Sequence, residues 1–203
     1  MAIDMPAGPS EVEVIADESA NPAFIAADFL SQAEHGVDSQ AMLVTASESI
    51  VEPVMQAIRE QLDRLPRKEI TEKSLSHSRL IVLKDKQEVI DFTNLYAPEH
   101  LIIQTTDYAD IAGQVENAGS VFMGPYTPES AGDYASGTNH TLPTNGYAKA
   151  YSGVNLDSFI KKITFQEITA DGIRLLGGTI RTMAANEQLD AHKNAVTIRL
   201  NTL

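Results

Sequence analysis

No cysteine occurs among the 203 residues of the chain, which excludes a disulfide framework and thiolate metal ligands. Any zinc it holds must be bound through nitrogen and oxygen, a donor set more typical of catalytic than of structural zinc. The same absence is compatible with the cytoplasm. Positive charge is scarce. The 15 Lys and Arg face 28 Asp and Glu, giving a formal net charge of -13, and this disfavours nucleic acid and anionic membrane as partners, because both reward positive charge. No apolar run approaches the roughly 20 residues that span a bilayer. The opening MAIDMPAGPSE has neither the basic nor the apolar region of a signal peptide. No Gly-x-Gly-x-x-Gly follows a strand and no Walker A pattern occurs, so nothing argues for a self-contained nucleotide site. Gly-x-Ser-x-Gly and His-Glu-x-x-His are missing as well.

What is present describes a folded globular protein: 43% hydrophobic residues with only 9 prolines, and enough length for one good core or two small ones. Short runs rich in branched residues predict strands at 12–16, 41–45, 79–83, 101–105 and 120–124, with helical periodicity between them. That alternation predicts an α/β, Rossmann-like but incomplete, mostly parallel sheet. A first helix is predicted with Asn21 as its N-cap, Pro22 in its first turn and Gly36 as its C-terminal cap. Further helices are expected over about 49–64, 86–95 and 108–117. Residues 125–151 are rich in Gly, Pro, Ser, Thr and Asn without a sustained period, and a loop this long in a compact domain is usually functional or disordered. Because it holds Asp133 and His140, function is favoured. Beyond it, helices are expected at 156–163 and 170–189, with Gly177 and Gly178 as a kink, and the closing AVTIRL as one more strand. The division expected is a partial α/β domain over 1–150, carrying most of the site, and a helical C-terminal appendage over 151–203.

Metal-capable side chains are spread along this framework. Of five histidines, only His77 lies in an unremarkable setting. Gln32 and His35, in SQAEHG, are three apart and share a helix face. The bland alternative is a solvated helix end with His35 favoured by the dipole. Glu99 and His100, in YAPEHL, follow Pro98 between a helix and a strand, and could divide acid and base duties, although sequence neighbours often point apart. Asp133, in SAGDYASGTNH, sits among glycines that let a carboxylate approach a ligand or metal, with an Asx-turn as the alternative. His192, Glu187 and Ser10 taken singly read as a helix-end histidine, an exposed carboxylate and a turn or cap residue.

Taken together, AIDMPAGPSEVEVIAD, ADFLSQAEHG, LYAPEHLIIQT, AGSVFMG, PESAGDYASGTNHTLPT and AHKNAVTIRL resemble the histidinol dehydrogenases. The stretches run from one end of the chain to the other. Full-length members are about twice as long, and this chain resembles their C-terminal half, with Met1 where the family usually has another apolar residue. The resemblance implies zinc held by Gln32, His35 and Asp133 of one subunit and by His192 of the other subunit of a homodimer. It makes Glu99 and His100 the acid/base pair. Ser10, His140 and Glu187 would lie around the substrate, L-histidinol, together with the zinc ligands and His100; Glu187 would reach in from the partner beside His192. The family oxidises L-histidinol to the aldehyde and the aldehyde hydrate to L-histidine, reducing one NAD each time, and its NAD contacts lie in the half this chain does not include. Two function classes stay open: a dehydrogenase, or a zinc- and substrate-binding half that dimerises without transferring hydride.

Overall fold

The computed structural model describes residues 5–203; residues 1–4, with the Met1 departure and the start of both the AIDMPAGPSE motif and the segment tested for a signal peptide, lie outside them. Five strands, β1 (Glu11–Ala16), β2 (Gln40–Thr45), β3 (Arg79–Val82), β4 (His100–Gln104) and β5 (Ser120–Met123), form one sheet in the order β3-β2-β1-β4-β5 with every pairing parallel. The α/β expectation with a parallel sheet is met. The helices are α1 (Pro22–Ala33), α2 (Val51–Leu62), α3 (Lys68–Leu75), α4 (Lys86–Tyr96), α5 (Tyr108–Ala112), α6 (Glu129–Tyr134), α7 (Ala170–Asn186) and α8 (Asp190–Asn201). No helix is long and apolar enough to cross a membrane among the described residues.

Both faces of the sheet are covered, which is why β2 and β4 read as unbroken apolar runs rather than alternating ones, while β1 carries the buried Glu13 in its middle. On one face Val12, Val14, Leu43, Ile102 and Phe122 pack with Ile25 and Phe29 of α1 and Val54 of α2; on the other, Ile15, Val44, Leu101 and Ile103 pack with Val89 and Ile90 of α4 and Ile111 of α5. Each of these large side chains, removed from water, contributes about 2 kcal/mol. The α1 start is as expected: the Asn21 side chain accepts from the Ala23 amide at 2.9 Å, with Pro22 in the first turn.

Several expectations are corrected. Gly36 does not cap α1; Glu34 does, in a right-handed conformation. The helix expected over 49–64 is a 3-10 turn (Glu48–Ile50) leading into α2, and α3 follows it unannounced. The α3 sequence KEITEKSL buries only Thr71 and Ser74, so it carries no apolar stripe to be read. The helix expected at 108–117 is the short α5. The 125–151 stretch is not structureless, since it contains α6 and a 3-10 turn at Tyr147–Lys149. At 156–163 only a 3-10 turn, Leu156–Phe159, forms.

The chain divides into two compact units between Ile160 and Lys161, against the boundary expected at residue 150. In the second, α7 packs on α8, and AVTIRL is helical within α8, not a strand. Its alternation is short enough to fit either period; Val196 is buried where α8 lies in a helix pair. Gly177 and Gly178 do not break α7. A Cβ on Gly177 would come within 2.8 Å of Leu200 Cδ1, so this glycine serves close helix packing.

Candidate active site at the amino ends of the strands

Ligands of open parallel sheets usually sit at the carboxyl ends of strands, where the strand order reverses. The reversal here lies between β1 and β4, yet Ser10, Glu99 and His100 lie at the opposite, amino edge: Ser10 precedes β1, and His100 opens β4 opposite Val12 of β1. Because α1 returns antiparallel to β1, its last turn, with Gln32, comes back to that same edge, and His35 follows just beyond it. The carboxyl-edge crevice is unsuited to a dinucleotide. The β1–α1 turn, 17–21, has no glycine, and the Asp17 carboxylate already accepts from the amides of Ser19 and Thr106, each at 2.9 Å. A carboxylate holding those amides repels a pyrophosphate, so NAD does not fit there.

Glu99 and His100 are both buried, at 4% exposure, and the backbone of one residue, Glu11, holds both. The Glu11 amide donates to Glu99 Oε2 at 2.9 Å, and the Glu11 carbonyl lies 3.1 Å from His100 Nδ1. A carbonyl only accepts, so Nδ1 carries the proton and Nε2 is the basic nitrogen of the neutral ring. Burial lowers the His100 pKa from its ordinary value, partly opposed by the Glu11 carbonyl and the Asp133 charge. Burial likewise pushes Glu99 up to about 8, with the Glu11 and Asp133 charges adding to it and the Glu11 amide and Ser10 hydroxyl opposing it. Glu99 Oε2 and His100 Nδ1 are 3.6 Å apart, but both shifts favour the uncharged forms. They are a neutral acid and a neutral base side by side, not an ion pair. The His100 ring also stands 6.0 Å from that of Phe122.

Gln32 is fully buried and Glu129 nearly so. With its nitrogen turned toward Glu129, the Gln32 amide donates to both carboxylate oxygens, at 3.1 and 3.2 Å. This puts the carbonyl oxygen, the metal-competent end, on the far side. Glu129 lies on α6, one turn before the half-buried Asp133, and α6 packs beside α1. His35 is exposed just past the end of α1, and acts electrostatically on His100, as Asp133 does. Burial pushes Glu129 up to about 8, and the neighbours that add to the shift are three more carboxylates, Asp133, Glu99 and Asp28. Asp28, one turn before Gln32 on α1, is pushed up to about 7 by burial and accepts from Gln104 Nε2 at 2.8 Å.

Ser10, His35, Glu99, His100 and Asp133 are thus brought into one neighbourhood, and Gln32 joins it through Glu129. His140 is exposed in the segment after α6. Glu187, which caps α7, and His192, in the first turn of α8, are exposed on the second unit. Glu11, Asp28 and Glu129 escaped the sequence reading. The signal for the latter two was available: Asp28–Gln32 and Glu129–Asp133 are both i, i+4 pairs. Among the described residues no three His, Asp or Glu converge to hold a metal. The ligand set implied by the resemblance asks for only two such groups here, His35 and Asp133, with an amide oxygen beside them. Nitrogen and oxygen donors amid crowded carboxylates suit zinc.

The histidinol dehydrogenase family model matches residues 1–200. The chain is 69% identical over 203 residues to a histidinol dehydrogenase of Bacteroides thetaiotaomicron, covering all of this chain and 47% of that protein. It is 58% identical to a chloroplastic histidinol dehydrogenase of Arabidopsis thaliana over 204 residues, covering 44% of it. A crystal structure of histidinol dehydrogenase from Elizabethkingia anophelis superposes with a TM-score of 0.95 at 58% identity, over 99% of this chain and 46% of that one. The chain spans about half the length of the curated relatives it matches, and across that half it belongs to the histidinol dehydrogenase family.

Proposed function

We propose that this chain forms the zinc- and substrate-binding part of a cytoplasmic histidinol dehydrogenase, an oxidoreductase of histidine biosynthesis that converts L-histidinol to L-histidine in two NAD-linked oxidations. Family membership supports the reaction class. The observation that carries the chemistry is the backbone of Glu11, whose carbonyl leaves His100 Nε2 basic and whose amide holds Glu99 by one oxygen.

His100 takes the hydroxyl proton through Nε2 as the alcohol carbon is oxidised. In the second oxidation, Glu99, as carboxylate, takes a proton from the water that adds to the aldehyde; a group with its pKa near 8 is a stronger base for this than an ordinary carboxylate. Gln32, His35 and Asp133, with His192 of a second copy, would hold zinc, and Ser10, His140 and Glu187 would line the substrate. Bound there, zinc supplies Lewis acidity and an anchor for the imidazole and amine of histidinol. The carboxyl-edge crevice does not fit NAD, so in our reading the hydride acceptor is held elsewhere and this chain alone binds rather than turns over.

Calorimetric titration of L-histidinol tests the reading. Heat of binding is expected with zinc present, and loss of it in His35→Ala together with most of the bound metal. Equal zinc and equal histidinol binding in wild type and His35→Ala would refute it.

A further inference from the structure

Among the described residues the buried carboxylate of Glu129 makes no hydrogen bond to the acid/base pair, but it takes both hydrogen bonds of the Gln32 amide. A glutamine offers a metal either its carbonyl oxygen or, if the amide is reversed, an NH2 that cannot coordinate. In solvent the two orientations interconvert freely. Here Gln32 has no exposed surface and Glu129 is 2% exposed, so water cannot satisfy the NH2 in the reversed orientation, and the Glu129 carboxylate, ionised when a cation is bound beside it, would face a carbonyl oxygen that donates nothing. The atoms on the other side of the amide are hydrogen-bond donors, which again selects the oxygen for that side. Glu129 is rigidly placed: it lies one turn before Asp133 on the same helix, and that helix packs on α1.

We infer that Glu129 is a positioning residue for the metal site, locking the Gln32 amide with its carbonyl oxygen toward the cation and tying the two helices that carry Gln32 and Asp133. The inference rests on the zinc reading above. Outer carboxylates that orient metal ligands typically change affinity by about 10–100-fold when removed, and that is the effect expected here.

The test is zinc affinity of the metal-free full chain, measured by competition with a chromophoric chelator, with circular dichroism and thermal unfolding to follow folding. Glu129→Met keeps the length and burial of the side chain but cannot accept a hydrogen bond. It should weaken zinc binding by about 10–100-fold. Glu129→Gln retains one acceptor oxygen for the Gln32 amide and should stay within a few-fold of wild type; a purely electrostatic role would make it as weak as Glu129→Met. Combining Glu129→Met with Gln32→Ala should cost no more than Gln32→Ala alone, because the effect passes through one side chain. Wild-type affinity in a folded Glu129→Met, equal losses in the Met and Gln variants, or additive losses in the double variant would each overturn the inference while Gln32→Ala still showed the metal site to be real. Should Glu129→Met not fold, Glu129→Asp, one methylene shorter, takes its place with the same expectation of weakened zinc. A wild-type chain that takes up no zinc, or a Gln32→Ala variant as tight as wild type, overturns the zinc reading and this inference with it.

Discussion

At His100 the proton sits on Nδ1 because its partner is a carbonyl, and burial keeps the ring neutral. The His100 ring in the metal-free chain is expected to titrate below 6.5, readable as the pH dependence of its Hε1 resonance; a midpoint above 7 would contradict the assignment of Nε2 as a ready base. The buried carboxyls behave oppositely. Glu13, Glu99 and Glu129 are each raised to about 8 by burial, so the folded chain holds protons that the unfolded chain releases near 4.5. Stability from these groups is complete below about 4.5 and is lost as pH rises toward 8, while His100 removes stability as pH falls below 6.5. Three carboxyls outweigh one imidazole, so the melting temperature of the metal-free chain should fall between pH 6 and pH 9. Glu13 isolates the effect. It faces α4, where the Thr93 hydroxyl donates to one oxygen, and its other oxygen has no partner among the described residues. In Glu13→Gln, differential calorimetry should show a shallower decline over the same range, and an unchanged slope would mean that Glu13 does not hold a proton in the fold. Little of this could be read from the sequence. Glu99 and His100 stood out as neighbours after a proline, but a carboxylate on a helix, such as Asp28 or Glu129, is usually solvated, and only the packing of α1 on α6 removes it from water.

The elements that were legible are those whose apolar pattern is set by two-sided burial or whose ends carry a local signal. The strands β2 and β4 are unbroken apolar runs, β1 is one interrupted by the buried Glu13, and α1 announces itself through Asn21 and Pro22. What failed was decided by neighbours distant in sequence. The α3 helix has no stripe because it buries Thr71 and Ser74, and AVTIRL became helical where α8 pairs with α7. A chain-distant contact of the same kind fixes the entrance to β5. There the Gly119 amide donates to the Pro98 carbonyl, and the Ser120 amide to that of Glu99, each at 2.9 Å. A Cβ at Gly119 would stand 2.5 Å from the Glu99 carbonyl oxygen, so β5 meets the start of β4 only if position 119 has no side chain. Gly119→Ala should destabilise the chain by about 1–3 kcal/mol, as overpacking does, seen as a lower urea midpoint with unchanged slope. Because the clash falls on the backbone of Glu99, histidinol binding should weaken too. A variant as stable as wild type would show that the β4–β5 junction gives way easily.

For the molecule as a whole, the site as proposed asks for more polypeptide than one copy supplies. His192 and Glu187 are exposed on the second unit, and Leu175 and Met183 of α7 and Ile198 of α8 remain more than half exposed, the kind of apolar surface that marks an interface. Two-fold pairing is the commonest soluble assembly, and light scattering at micromolar concentration is expected to show a dimer; a monomer alone would remove the partner's contribution to the zinc. Completing the zinc site in this way does not complete the enzyme. The turn after β1 has no glycine and holds Asp17 where a pyrophosphate would need bare amides, so the sheet has the strand order of a dinucleotide fold without the means to bind the phosphates. Hydride transfer needs the acceptor ring held against the substrate carbon, and an unanchored cofactor forfeits about 7 kcal/mol or more of positioning, roughly five orders of magnitude in rate. The purified chain, supplied with zinc, L-histidinol and NAD, should therefore bind histidinol yet form NADH at a vanishing rate beside a full-length relative assayed in parallel. In that full-length setting, His100→Asn should slow oxidation of the alcohol and Glu99→Gln hydration of the aldehyde. Turnover by the isolated chain comparable to the relative's would mean that it anchors NAD by a route other than its sheet, and would return the acid/base pair, the metal ligands and the cofactor to one and the same half.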